Sequence, residues 1–175
     1  CYADDRHRYR WRGVQEAQAH RLDWAHRALS TGRFVPVIAD LISARRDRYF
    51  RLHDSGDFFS PLYIDAWREV ALSLPTVAFW APTRSWSMAG QCRPESDPLL
   101  AALRHLAALP TVTVRPSAIF IGGDPPEVPG LAAGSSVTTD RSRATCPKSL
   151  RSPPSCGDCR RCWDEPQIPV TYLKH

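Results

Sequence analysis

The sequence predicts an α/β fold with parallel strands, and two observations carry the expectation. An N-cap residue followed by proline twice opens an apolar helical stretch that ends at a second proline and leads into a short apolar run. Ser60-Pro61 leads to Pro75 and then Thr76 to Ala81, and Asp97-Pro98 leads to Pro110 and then Thr111 to Val114. The aromatic run Tyr49 to His53 stands before the first of these units. Strand, helix, strand, helix, strand implies parallel pairing through right-handed crossovers. The expectation is therefore (β/α) repeats forming a partial barrel over residues 1–140, with a cysteine-rich segment, residues 141–175, packed on the same domain.

Taken in order, Val14, Ala17, Leu22, Ala25 and Leu29 recur at helical spacing from about Gly13 to Ser30, and Thr31-Gly32 supplies a stop. Phe34, Val37, Ile38, Leu41 and Ile42 predict a second helix, which runs out in Arg45-Arg46-Asp47-Arg48, basic residues suited to the negative end of a helix. The first strand breaks at Asp54-Ser55-Gly56-Asp57, where turn-forming residues cluster. Leu62, Ile64, Trp67, Val70, Ala71 and Leu74 fill the third helix, and Leu99, Leu100, Leu103 and Leu106 the fourth. Ala118 to Gly123 and Ser135 to Thr138 are expected as further short strands, and Asp124 to Gly134 as connecting loop. From Arg141 onward the chain is so poor in apolar residues that its folding is expected to depend on a metal.

With 175 residues, 43% of them hydrophobic and 23% charged, the composition is that of a globular domain with a substantial core. No apolar run reaches membrane-spanning length, so no membrane partner is expected. The net charge of +5 rests on 23 basic residues, all arginine except Lys148 and Lys174. Arginine suits phosphate and carboxylate recognition, so a nucleic acid or other phosphate-bearing partner fits the composition. The chain starts at Cys1 without an initiator methionine, and Cys1-Tyr2-Ala3 reads as interior sequence. A fragment truncated at its N-terminus is expected, with Cys1 the surviving member of a second cysteine group.

Four of the six cysteines lie near the C-terminus: Cys146, then Cys156, Cys159 and Cys162 in C-x2-C-x2-C spacing. Thiols three residues apart on a tight turn can aim at one small object, and a distant fourth completes a four-sulfur shell. A 4Fe-4S cluster needs such a shell, and bacterial ferredoxin runs start with the same spacing. Zinc sites more often pair two separated C-x2-C knuckles, so the spacing favours iron and leaves zinc open. Disulfides fit less well, since neighbouring C-x2-C pairs strain the bridge and no secretory segment is present. That points to a reducing, cytoplasmic setting. Cys92 stands apart and reads as a free thiol.

In parallel α/β folds ligands gather at the carboxyl ends of strands. Here the first exit carries His53, Asp54, Ser55 and Asp57, the second Thr83, Arg84 and Ser85, and the third Arg115 and Ser117. His53, Asp57 and Arg84 are the candidate catalytic residues, and Thr83 and Arg115 are candidates to hold a cofactor or an anionic group. The expectation is one shared pocket containing His53, Asp57, Arg84 and Arg115. Taken singly, Asp54 and Asp57 also suit turn chemistry beside Gly56, and Arg84 and Arg115 suit ordinary salt bridges.

The runs Tyr9-Arg10-Trp11-Arg12-Gly13, His53-Asp54-Ser55-Gly56-Asp57-Phe58-Phe59-Ser60-Pro61, Phe79-Trp80-Ala81-Pro82-Thr83-Arg84-Ser85-Trp86 and Ser155-Cys156-Gly157-Asp158-Cys159-Arg160-Arg161-Cys162-Trp163 together resemble the phage and bacterial gene product 88 family. The resemblance covers nearly the whole chain and implies no established activity. It does imply further cysteines before the counterpart of Cys1. More distantly, Cys1-Tyr2 is similar to the end of the cysteine loop of radical S-adenosylmethionine enzymes, and Ser55-Gly56-Asp57 to their Gly-Gly-Glu-like motif, with Ser for glycine and Asp for glutamate. That second resemblance implies a partial barrel, Cys1 in a lost N-terminal cluster, and Ser55, Gly56 and Asp57 holding S-adenosylmethionine. Cys146, Cys156, Cys159 and Cys162 would then ligate an auxiliary cluster served by an electron donor. The expected function is that of an iron–sulfur protein, radical S-adenosylmethionine-like, acting on a phosphate-bearing or nucleic-acid substrate. The alternative is a non-enzymatic nucleic-acid-binding module of phage origin, stabilised by zinc or an iron–sulfur cluster.

Overall fold

A computed structural model describes residues 11–53, 56–150 and 156–174. Helices α1 (Arg12–Ser30) and α2 (Phe34–Arg45) form the entry, and α2 ends where Arg46 turns left-handed at φ 58°. Strand β1 (Tyr49–Arg51) leads through the first exit loop to α3 (Pro61–Ser73), whose N-terminus is capped by the Ser60 hydroxyl accepting the Tyr63 N–H at 3.2 Å. Strand β2 (Ala78–Thr83) follows. Helix α4 (Pro98–Ala107) starts at Asp97, whose carboxylate accepts from the N–H groups of Leu99 and Leu100 at 2.9 and 3.2 Å, and β5 (Val112–Pro116) comes next. Between β2 and α4 lies a hairpin absent from the sequence expectation, β3 (Ser87–Met88) against β4 (Gln91–Cys92). It turns on Ala89-Gly90 with φ 53° and 83°, the left-handed pair that two-residue hairpins favour.

β1, β2 and β5 form one parallel sheet in that order, with Phe50 opposite Phe79 opposite Val112, and Arg51 opposite Trp80 opposite Thr113. The strands ending near His53, Ala81 and Val114 are therefore neighbours, as expected, and α3 and α4 are the crossovers. Strand period gives the sheet two faces. Phe79, Ala81, Val112 and Val114 join the core with Ile64, Val70, Leu100, Leu103 and Leu106 of the helices. Each of the buried Phe, Val, Leu and Ile side chains among them contributes about 1.5–3 kcal/mol. Trp80, Thr113 and Arg115 belong to the opposite face.

The C-terminal segment covers that second face. It holds β6 (Ser135–Thr138), a single 3-10 turn at Arg141–Arg143, α5 (Pro147–Leu150), α6 (Arg161–Asp164) and β7 (Val170–Leu173). The Trp163 ring meets Trp80 edge-on at 5.2 Å and Tyr49 at 5.7 Å, and its indole N–H donates to the Phe50 carbonyl at 3.2 Å. Thr113 Oγ1 donates to the Trp163 carbonyl at 2.8 Å.

The parallel α/β class is present, one expected strand is not, and the C-terminal segment holds more regular structure than expected. No sheet closes into a barrel: β6 and β7 pair in a second parallel sheet, which touches the first through a single parallel bridge, Ser117 to Ser135. Residues 118–123 form a turn rather than a strand, because Gly122 takes φ 82° and its N–H donates to the Val137 carbonyl at 2.7 Å, leaving Phe120 and Ile121 exposed. The C-terminal segment is not loop alone, since β7 buries Val170 to 1% exposure and pairs along the whole of β6. Among the described residues no helix is long and apolar enough to cross a membrane.

Candidate functional site

The strand exits are stitched to one another. Asp57 accepts the Phe58 N–H at 2.8 Å and the Thr83 hydroxyl at 2.5 Å on Oδ1, and the Arg84 N–H at 2.6 Å on Oδ2. Ser85 Oγ donates to the Phe58 carbonyl at 2.8 Å, and its N–H donates to Thr83 Oγ1 at 3.0 Å. Arg84 Nε donates to the Ala118 carbonyl at 3.1 Å, and Trp86 Nε1 to the Ser117 carbonyl at 3.0 Å. Asp57, Thr83 and Arg84 thus come together, but as a lock between the loop after β1 and the exit of β2. Asp54 and Ser55 lie outside the described residues, while Gly56 is exposed with φ 86°.

His53 closes β1 in a left-handed conformation, φ 55°, that a non-glycine residue adopts at a cost. Its ring sits edge-on to Phe58 at 4.7 Å, and Nε2 lies 3.1 Å from the Tyr63 hydroxyl, while the buried Nδ1 has no hydrogen-bond partner. Burial pushes its pKa down to about 4, helped by Arg51 and opposed by Asp57. The imidazole is therefore neutral at physiological pH.

Arg115 does not join this group, so the single pocket expected for His53, Asp57, Arg84 and Arg115 does not form. Lying on the second face of the sheet, it points into the C-terminal segment: Nη1 donates to the carbonyls of Ala133 and Ile168 at 2.5 and 2.7 Å, and Nη2 to that of Glu165 at 3.1 Å. The residue is fully buried, and its Nε has no partner.

The cysteines lie in the same region. Cys146 is buried, with its N–H donating to the Thr171 carbonyl of β7 at 3.0 Å. The next three begin on a turn, Cys159 N–H donating to the Cys156 carbonyl at 2.9 Å, and Cys162 follows on α6. Cys162 Sγ stands 3.4 Å from the Tyr172 hydroxyl of β7. Burial raises the Cys162 thiol, and the Cys146 and Cys156 thiols raise it further, while Tyr172 and Arg115 pull it down. Burial, together with the Cys162 and Cys146 thiols, also holds the Tyr172 hydroxyl well above the usual phenol range. All four are free thiols, yet among the described residues no three His, Cys, Asp or Glu side chains stand close enough together to hold a metal ion. The thiols share a neighbourhood without converging on one point. Cys1 and residues 151–155, which connect Cys146 to Cys156, lie outside the described residues.

Sequence reasoning missed Tyr172 and Trp163 as neighbours of this region. The signal for Tyr172 was available in Val170-Thr171-Tyr172-Leu173, a run of β-forming residues.

The family profile described as Gene product 88 matches residues 1–165. The chain belongs to that family. The Gene 88 protein of Mycobacterium phage L5 is 45% identical over 47 residues, which are 27% of this chain and 20% of that protein. The Gene 88 protein of Mycobacterium phage D29 is 43% identical over 47 residues, with the same shares. The match to these relatives thus spans about a fifth of their length. No solved structure shows significant similarity to the chain. Membership in the gene product 88 family supports a phage-related origin and leaves the radical S-adenosylmethionine resemblance without support. Asp57 already accepts three hydrogen bonds from the fold, two on Oδ1 and one on Oδ2, and Ser55 of the same motif lies outside the described residues.

Proposed function

We propose that this gene product 88 chain is an iron–sulfur protein in which Cys146, Cys156, Cys159 and Cys162 ligate a 4Fe-4S cluster against the second face of the parallel sheet. One observation carries the reading: the C-x2-C-x2-C run reaches β7, where Cys162 Sγ stands 3.4 Å from the Tyr172 hydroxyl, and Cys146 is tied to the same strand by its N–H donating to the Thr171 carbonyl at 3.0 Å. The donor set suits the group, being four sulfurs and no carboxylate or imidazole. A bound cluster supplies one-electron chemistry. Cys146, Cys156, Cys159 and Cys162 would hold it, and the electrons would come to the cluster from an external donor. The two parallel sheets, joined at Ser117 and Ser135, are read as an opened partial barrel.

An anionic substrate, phosphate-bearing or nucleic acid, is the class that the net charge of +5 supports. The arginines nearest the cysteines serve the fold first: Arg143 pairs with Asp124 at 2.7 Å, Arg161 with Glu165 at 3.3 Å, and Arg160 lies 4.8 Å over the Tyr49 ring. Substrate contact therefore requires arginines elsewhere, or release of these pairs. We assign no role to S-adenosylmethionine.

Anaerobic purification followed by iron, sulfide and zinc analysis tests the proposal. Brown protein that loses its colour on oxidation is expected, with Cys159→Ser lowering the iron content. Colourless protein with stoichiometric zinc would overturn the cluster and favour the zinc-stabilised nucleic-acid-binding module.

A further inference from the structure

Trp24, Arg27, Ala28 and Thr31 recur at the spacing that places residues on one face of a helix. With Arg33, which precedes α2, and Val37 within it, they line a cleft of about 310 Å³ where the two entry helices meet. The indole of Trp24 is 36% exposed and tilts against Phe34 at 5.8 Å, and Phe34 is in turn held edge-on by Tyr63 and Trp67 at 5.4 and 5.6 Å. The core therefore fixes this ring in place although the ring itself reaches solvent. Two cations stand beside it. Arg33 is exposed and pairs with no carboxylate among the described residues. Arg27 pairs with Asp23 at 3.0 Å, but both side chains are largely exposed, and an ion pair in that setting is weak enough to give way to a phosphate. Residues 12–48 hold seven arginines against four carboxylates, so more than half of the net charge of +5 lies on this part of the chain.

A fixed aromatic ring beside guanidinium groups matches the two halves of a nucleotide. Bases of any identity stack on aromatic faces, and phosphates pair with arginine. The cleft is at the small end of ligand sites, which suits one nucleotide rather than several. We propose that it holds one nucleotide of a single-stranded nucleic acid, the base stacked on Trp24, its phosphate on Arg33, and Arg27 exchanging Asp23 for the neighbouring phosphate. A strand fits better than a free nucleotide because exposed arginines continue beyond the cleft, at Arg21 on α1 and at Arg46 and Arg48 after α2, where a chain of phosphates would need them. A duplex fits less well, since its bases stack on one another and leave no face for the indole. This inference rests on the nucleic-acid class proposed above and gives it a place; it does not depend on the cluster.

The test is fluorescence anisotropy of a labelled oligothymidylate of about 15 nucleotides, titrated with the full chain over a range of salt. Trp24→Leu is expected to weaken binding about tenfold, and Trp24→Phe, which keeps an aromatic face, should retain most of the affinity. Arg33→Gln should weaken binding and flatten the salt dependence by about 0.7 in slope, the share of one phosphate contact on a single strand. Arg143→Gln, an equal loss of charge in the C-terminal segment, should leave both nearly unchanged. An Arg143→Gln effect as large as that of Arg33→Gln overturns the cleft and reduces the binding to general charge. Thymidine monophosphate that displaces the oligonucleotide mole for mole overturns the strand in favour of a free nucleotide, and equal affinity for a duplex of the same length overturns stacking on Trp24. A wild type that binds no oligonucleotide overturns the inference, while iron analysis of the same preparation decides the cluster on its own. Should Trp24→Leu fail to fold, Arg33→Gln decides, because Arg33 is exposed and its side chain holds no part of the fold; unchanged affinity and salt slope there overturn the inference.

Discussion

Replacing Asp57 with alanine separates a carboxylate that belongs to the fold from one that serves a ligand. Its oxygens accept from the Phe58 N–H, the Thr83 hydroxyl and the Arg84 N–H, and two of those donors come from the exit of β2, 26 and 27 residues further along the chain. Hydrogen bonds to a charged acceptor contribute about 1.5–3 kcal/mol each, so three give about 4.5–9 kcal/mol before compensation. Asp57 is half-buried, and water entering the vacated space re-solvates part of this, which leaves a net loss of about 2–4 kcal/mol. For a chain of this size each kcal/mol lowers the melting temperature by about 2–4 °C, so Asp57→Ala should melt roughly 10 °C lower. Asp57→Asn keeps one acceptor oxygen but turns an amide N–H₂ toward a donor, and should lose about half as much. Urea unfolding followed by circular dichroism should show the midpoint falling with an unchanged slope. A loss under about 0.5 kcal/mol in both variants would refute the lock and return Asp57 to the candidate ligand residues.

Other substitutions probe the frame and its pH response. Ser60→Ala removes the α3 cap and should cost about 1 kcal/mol in the same unfolding assay. Leu100→Ala opens a cavity at a fully buried position and should cost about 2–5 kcal/mol, with a smaller loss meaning that α4 is not packed as described. Because burial holds His53 at about 4, below its ordinary 6.5, the unfolded chain binds a proton between those values that the folded chain does not. The His53 contribution is therefore fully present above pH 6.5 and lost as pH falls towards 4, by about 3 kcal/mol in all. His53→Gln should flatten that dependence, and identical pH profiles for the two proteins would contradict a buried neutral imidazole.

The β/α repeat was legible because its signals are local. Ser60-Pro61 and Asp97-Pro98 mark helix starts through residues that cap the adjacent turn, and both caps are made as the sequence implies. The roles of Asp57 and Arg115 were not legible, because residue type and strand-end position say nothing about which way a side chain turns. Arg115 falls on the second face of β5, opposite Val112 and Val114, and the sequence carried no sign that a C-terminal segment would cover that face. β7 escaped notice for a related reason: a four-residue strand that pairs with β6, more than 30 positions earlier, leaves only a weak local pattern. The cysteine run was plain in the sequence, but how closely its thiols approach depends on contacts that the spacing alone does not set.

Metal-edge X-ray absorption on anaerobically prepared protein tests the central claim most directly, because it reports what surrounds the metal whatever the activity. The account predicts an iron edge with sulfur neighbours and an iron–iron shell, both diminished in Cys159→Ser. A zinc edge with four sulfurs at about 2.3 Å and no metal–metal shell would contradict it.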